Sequence, residues 1–272
     1  VRRIDIAAPE GVRWIPSRQT GTGVLVVAGS SGRIDEARAR VLAERGVLAE
    51  SMRWFGGPGQ PRGPWDVPLE VFLRRIDDLS RDCDEVWMMG TSFGSEAALL
   101  CGSLSPRVAG VIAFAPSDVV WAGYDGRRET SHWTLEGRPL PYVPIDWDGY
   151  VEEDPPRFRA LYERSLRTQS TRAADAAIAV ERVPRLILVA GGDDQVWPSL
   201  ESADRIRIRR ARHGLETTVV TTPDAGHRTI LPGEQPVTAG VSMARGGSEA
   251  ADRRLGALAW NAIEAAWGNQ RQ

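Results

Sequence analysis

The chain of 272 residues is short of the residue types that most often announce chemistry. It has two cysteines, Cys83 and Cys101, too few for a disulfide framework. Cys101 stands in an apolar run, where a thiol is expected to be buried. There are three histidines, no H-E-x-x-H and no two histidines close together, so no metal site is expected. No stretch approaches the roughly 18 consecutive apolar residues of a membrane-spanning helix, and no signal peptide is visible at Val1. The expectation is a cytoplasmic protein without membrane contact. Charge of one sign is also missing: 34 basic residues against 36 acidic leave a net charge of -2. An electrostatic grip on nucleic acid is therefore not expected. The run Arg205-Ile206-Arg207-Ile208-Arg209-Arg210 reads as the solvated face of a helix. Neither G-x-G-x-x-G nor G-x-x-x-x-G-K-[ST] follows the first buried strand, so no nucleotide cofactor is expected either.

What is present is alternation. The length and a hydrophobic content of 42% suit one domain over residues 1–272 with a full core. "GVLVVA" at residues 23–28, "EVWMM" at 85–89, and residues 107–115 and 184–190 read as interior parallel strands. Residues 2–6 and 12–15 look like edge strands, and 47–54 and 217–221 like further strands. Helical patterns at 35–44, 69–79, from 96, from 199 and at 250–267 lie between or after them. Residues 56–68, with four prolines and four glycines, form an irregular loop. Periodicity fails over 117–181, which is rich in Trp, Tyr, Pro, Gly and Asp and holds helices only near 156–167 and 173–179. The pattern predicts an α/β fold, a mostly parallel sheet with helices on both faces. Residues 117–181 would be an insertion, a cap over the carboxyl ends of the strands, where such folds keep their sites. Ten tryptophans are present, several of them in that segment; Trp121, Trp133 and Trp197, with Ser31, are candidates to line a substrate pocket.

Residues 88–100, "MMGTSFGSEAALL", contain Gly90-Thr91-Ser92-Phe93-Gly94, a G-x-S-x-G motif between a strand and a helix. That context holds a serine on a strained, exposed turn, and makes Ser92 the candidate nucleophile. A base and an acid should then follow in the order serine, acid, histidine. His132 precedes any later acid, and His213 reads as a helix terminus. His227, in Ala225-Gly226-His227-Arg228 after the last strand, is the candidate base. The acid comes from Gly191-Gly192-Asp193-Asp194, which directly follows a buried strand. Asp194 is preferred, to orient the imidazole and stabilise its cation, with Asp193 bracing the turn. The backbone amides of Phe93 and Ser30, with Ser31 the next choice, would form an oxyanion hole.

Together these segments resemble the C-terminal catalytic domain of the acyl-CoA thioesterase and bile acid-CoA:amino acid N-acyltransferase family, within the α/β-hydrolase superfamily. The likeness rests on Ala28-Gly29-Ser30-Ser31-Gly32-Arg33-Ile34-Asp35-Glu36, on Gly90 to Glu96, on Gly191-Gly192-Asp193-Asp194-Gln195-Val196-Trp197-Pro198-Ser199, on Ala225-Gly226-His227 and on Gly246-Gly247. It implies an α/β-hydrolase fold and an acyl-enzyme mechanism without a cofactor. Family members with a serine nucleophile hydrolyse, so the implied substrate is a small acyl thioester, carried by CoA or by a carrier protein. Ser31 and Arg33 depart from the glycines of the family's first loop. An esterase, lactonase, peptidase or acyltransferase would use the same groups. A binding module that keeps the fold without catalysis is the reading from another class.

Overall fold

The computed structural model describes residues 1–237 and 242–268. Its main sheet has eight strands: β1 (Arg2–Ala7), β2 (Glu10–Ile15), β3 (Thr22–Val27), β4 (Leu48–Met52), β5 (Glu85–Thr91), β6 (Val108–Phe114), β7 (Arg185–Gly191) and β8 (Thr218–Thr222). They lie in the order β1-β2-β4-β3-β5-β6-β7-β8. The two amino-terminal strands pair antiparallel, and β2 pairs antiparallel with β4. Every other neighbouring pair is parallel.

The interior strands are apolar on both faces because both faces are covered. Along β3, Leu25 and Val27 enter one hydrophobic cluster while Val24 and Val26 enter another, as the two-residue repeat of a strand requires. The first cluster is closed by α2 (Glu70–Leu79), α3 (Phe93–Leu104) and α6 (Ser199–Arg212), through Phe72, Ile76, Leu99 and Ile206. The second is closed by α1 (Glu36–Glu44) and α7 (Glu249–Gly268), through Leu42, Leu255 and Trp260. By contrast, β1 has one half-buried residue and is otherwise exposed, as befits an edge. Its predicted neighbour begins two residues earlier than expected, because the turn joining the two strands is only Ala8-Pro9.

The strand order places the site. After β3 the chain turns back through α1 to β4 on one side; after β5 it passes through α3 to β6 on the other. Connections leaving adjacent parallel strands in opposite directions open a crevice at their carboxyl ends. The loops carrying Ser30 and Ser92 both begin there.

Between β6 and β7 lie inserted elements: short strands at Ala122–Tyr124, Glu129–Ser131, Trp133–Leu135 and Arg138–Pro139, followed by α4 (Arg159–Thr168) and α5 (Ser170–Asp175). The loop predicted at 56–68 is not wholly irregular. Val67–Pro68 pairs in parallel with Trp133–Leu135 and ties that loop to the insertion. The arginine run on α6 is solvated at Arg205, Arg207 and Ile208, yet it also ties the helix to the insertion. Arg205 bridges to Asp118 at 2.7 Å and Arg209 to Glu181 at 2.8 Å, so α6 holds both ends of the insertion. Arg210 is fully buried, donating to the carbonyls of Val180, Val183 and Glu216. Arginine can be buried there because its five N–H groups are met by four carbonyl oxygens, that of Pro184 included, and by the Thr217 hydroxyl.

Candidate active site

Ser92 follows β5 and precedes α3 with φ of 56° and ψ of -125°, a conformation that L-residues rarely adopt. Its amide donates to the Phe114 carbonyl at 3.0 Å, and its carbonyl accepts from Ser95 at 2.7 Å, so the strained turn is pinned from both sides. The glycines of the motif serve close approach, not a positive φ of their own. A Cβ on Gly90 would sit 2.1 Å from the Gly94 carbonyl oxygen. One on Gly94 would sit 2.5 Å from the carbonyl oxygens of both Val27 and Ala28. Helix α3 thus packs directly on the end of β3, which carries the Ser30 loop. Gly94→Ala is expected to destabilise by more than about 3 kcal/mol, because the obstacle is backbone and cannot rotate away. Urea denaturation, with Gly102→Ala against valine methyls instead of backbone as a milder comparison, measures the effect.

His227 and Asp194 are brought together by β7 and β8. The ring nitrogen Nδ1 lies 2.8 Å from Asp194 Oδ2, with both side chains buried. Asp194 is saturated with donors. Its Oδ1 accepts from the amides of Val196 at 2.9 Å and Trp197 at 3.3 Å, and its Oδ2 also accepts the Ser199 hydroxyl at 2.7 Å. A carboxylate whose other partners are all donors accepts Nδ1–H from the imidazole, which leaves the Nε2 lone pair free to face the cavity. Asp193 points elsewhere. It accepts from the Gly247 amide at 2.8 Å and from Gln195 at 2.6 Å, and the Gly247 hydrogen bond chiefly holds its pKa below the usual carboxylate value.

Behind this pair, glycine-bearing loops meet backbone to backbone. Cβ atoms on Gly191, Gly246 and Gly247 would fall within 2.3 Å of Ala225, Gly226 or Asp193 backbone atoms. The His227 amide donates to the Arg245 carbonyl at 2.9 Å, and Gly226 to Asp252 at 2.8 Å. The Trp197 ring packs edge-on against the imidazole, 5.9 Å between centroids. Ser199 ends the acid-loop segment of the resemblance but was given no role there, while Arg245 and Asp252 carry no motif; all three support the pair.

Ser92 and His227 line one cavity of about 500 Å³, together with Ser30, Ser31 and Phe93. Neither the Ser30 nor the Ser31 amide donates to another group among the described residues. The amide of Phe93, at the first position of α3, has no intrahelical acceptor. Of the three tryptophans expected in the pocket, none lines it. Trp133 is fully buried and donates to Glu96 at 2.9 Å; Trp121 donates to Ser117 at 3.0 Å; Trp197 donates to the Ala115 carbonyl at 3.1 Å. They pack the base of the insertion, because an indole N–H taken out of water needs an acceptor and finds one there. The apolar wall is instead Ile145, Trp147, Phe158, Leu161 and Tyr162 of the insertion, facing Val196 and Ile230. Among the described residues, no cluster of three or more His, Cys, Asp or Glu is placed to hold a metal ion, and no helix is long and apolar enough to cross a membrane.

No protein of curated function matches the chain significantly. Among solved structures it is similar to a candidate dienelactone hydrolase from Klebsiella pneumoniae, with 11% identity over 98% of this chain and 97% of that one and a TM-score of 0.57. It is likewise similar to a dienelactone hydrolase-like promiscuous phosphotriesterase from metagenomic libraries, at 15% identity over 98% and 97% of the two chains and a TM-score of 0.55. At such identities the likeness is one of fold. The family match is direct: residues 24–239, from β3 through the histidine loop, fit the alpha/beta hydrolase family. The chain belongs to the alpha/beta hydrolase family.

Proposed function

We propose that this protein is a serine hydrolase working through an acyl-enzyme, and that its substrates are acyl thioesters. The observation that carries the reading is the strained Ser92 opening into the same cavity as His227, whose other side is fixed by buried Asp194. Ser92 Oγ attacks the carbonyl carbon while His227 Nε2 takes its proton. The amides of Phe93 and Ser30 stabilise the developing oxyanion, each worth roughly 3 kcal/mol at the transition state. Collapse expels the thiolate, and the proton held on His227 Nε2 passes to it as it leaves, which returns the imidazole to its neutral form. His227 then draws a proton from water, which attacks the acyl-enzyme and frees Ser92. The thioester preference is supported by the resemblance of the loops to the thioesterase and N-acyltransferase family and by the apolar wall, which suits an acyl chain.

Intact-protein mass spectrometry tests this. Wild type and Ser92→Ala are exposed briefly to acyl-CoAs, an acylated phosphopantetheine mimic, p-nitrophenyl esters and a fluorophosphonate. The composition keeps the readout clean. The chain contains no lysine to be acylated by thioesters. Cys101 is buried, and burial pushes the Cys83 thiol up to about 11. An adduct from thioesters on wild type alone is expected. Fluorophosphonate labelling without any thioester adduct would retain the hydrolase and remove the thioesterase. No adduct from any reagent would leave a binding module.

A further inference from the structure

Ser92 and His227 follow strands that do not touch. In the main sheet two strands, β6 and β7, separate β5 from β8. Proton transfer between the two side chains tolerates errors of only about 0.5 Å, and the sheet alone does not fix their separation to that degree. Arg38, on α1, spans the gap. It is 6% exposed, and the carboxylate it meets, Glu234, is 7% exposed. On the histidine side its Nε donates to Glu234 Oε1 at 2.6 Å, and its Nη2 to Glu234 Oε2 and to the Thr229 carbonyl, both at 3.0 Å. Thr229 lies two residues after His227. Glu234 also accepts the Leu231 amide at 2.8 Å, which closes the turn that follows. On the nucleophile side Nη1 donates at 3.1 Å to the hydroxyl of Thr91, the residue before Ser92. The guanidinium lies over the Phe114 ring, 4.6 Å from its centroid, and it is the Phe114 carbonyl that accepts the Ser92 amide. Stability does not account for such a pair. Desolvation of two charges cancels much of their attraction, and apolar side chains of similar volume often serve as well. What the planar fork adds is fixed geometry, so Thr91, Thr229 and Glu234 do not shift independently. Both side chains border the cavity, which makes direct contact with substrate the rival role.

We infer that Arg38, braced by Glu234, is a positioning residue that holds His227 in register with Ser92. This rests on the hydrolase reading of Ser92. The test measures the rate of fluorophosphonate labelling of Ser92, kcat and KM for p-nitrophenyl butanoate and S-butanoyl-N-acetylcysteamine, and the melting temperature. The decisive variant replaces both partners, Arg38→Met with Glu234→Met, so that no buried charge is left unpaired and the fold is kept. Its labelling rate and kcat are expected to fall about hundredfold, the cost of a misplacement of about 1 Å, with KM changed by less than about twofold. Arg38→Lys keeps the charge but cannot span three partners at once, and is expected to recover only part of the loss. A merely structural pair would leave labelling and kcat of the double variant at wild-type values. A substrate-binding pair would raise KM and leave labelling unchanged. Either result overturns the inference. If the double variant does not fold, Thr91→Val decides, since it removes only the hydroxyl that joins Arg38 to the strand before Ser92. Labelling slowed severalfold in Thr91→Val supports the inference, and a wild-type rate overturns it. The two possible failures are distinct. Wild type that labels, beside variants that label as fast, removes the positioning role and keeps the hydrolase. Wild type that neither labels nor turns over removes the hydrolase, and the positioning role with it.

Discussion

Ser92→Ala will reduce turnover by about a millionfold with little change in melting temperature, while Ser92→Gly will lose the same activity and melt higher. The reason lies in the backbone. At φ of 56° and ψ of -125° a residue with a Cβ is strained whatever its side chain, so alanine inherits the penalty of serine. Glycine does not. Strain of this kind is worth about 1–3 kcal/mol, and the greater freedom of unfolded glycine returns about 0.5–1 kcal/mol of it. The net gain is about 1 kcal/mol, or about 2 °C for a domain of this size. Differential scanning calorimetry beside a turnover assay reads both quantities. A Ser92→Gly protein less stable than wild type would mean that the turn is relaxed and that the serine is not held there at an energetic cost. The same comparison bears on the binding-module alternative, for which a strained serine has no use.

Asp194→Asn will lower kcat by about ten-thousandfold without moving the nucleophile. The carboxylate now accepts from four donors: two backbone amides, the Ser199 hydroxyl and His227 Nδ1. Asparagine offers one carbonyl oxygen and one amide group, so its NH2 must face a former donor. With the oxygen kept by the Val196 and Trp197 amides, the NH2 faces Nδ1 and turns it into an acceptor. The proton then resides on Nε2, which can no longer take one from Ser92. Nitrogen chemical shifts of His227 would display the exchanged tautomer. Ser199→Ala, which removes one donor and leaves the carboxylate, is expected to lower kcat by no more than about tenfold, about 1.4 kcal/mol. If Asp194→Asn behaved as mildly as Ser199→Ala, His227 would not be acting as a base oriented by this acid.

The features legible in advance were those with a local cause. The β3 run "GVLVVA" announced an interior strand because a strand covered on both faces needs no alternation. G-x-S-x-G was legible because two backbones touch at Gly90 and Gly94, and no other residue fits. Gly246-Gly247 was visible for the same reason, though its purpose, a contact with Asp193 and Gly226, was not. The misreadings share an opposite cause. Trp121, Trp133 and Trp197 were assigned to the pocket as members of an abundant residue type, whereas their indole N–H groups found buried acceptors away from it. The ion pairs of Arg205 and Arg209 with Asp118 and Glu181 were not legible, because those partners lie outside the helix along the chain.

The sequence by itself determined the succession of strands and helices, the turn on which Ser92 sits, and the order of serine, acid and histidine, because each depends on neighbours a few residues apart. Only the tertiary structure decided that Nδ1 of His227 meets Asp194 and not Asp193, and that the cavity wall is Ile145, Trp147, Phe158, Leu161 and Tyr162. Those facts depend on which loops the sheet order brings to the crevice between β3 and β5. A local pattern records how the chain bends, but not which distant side chain arrives at the bend.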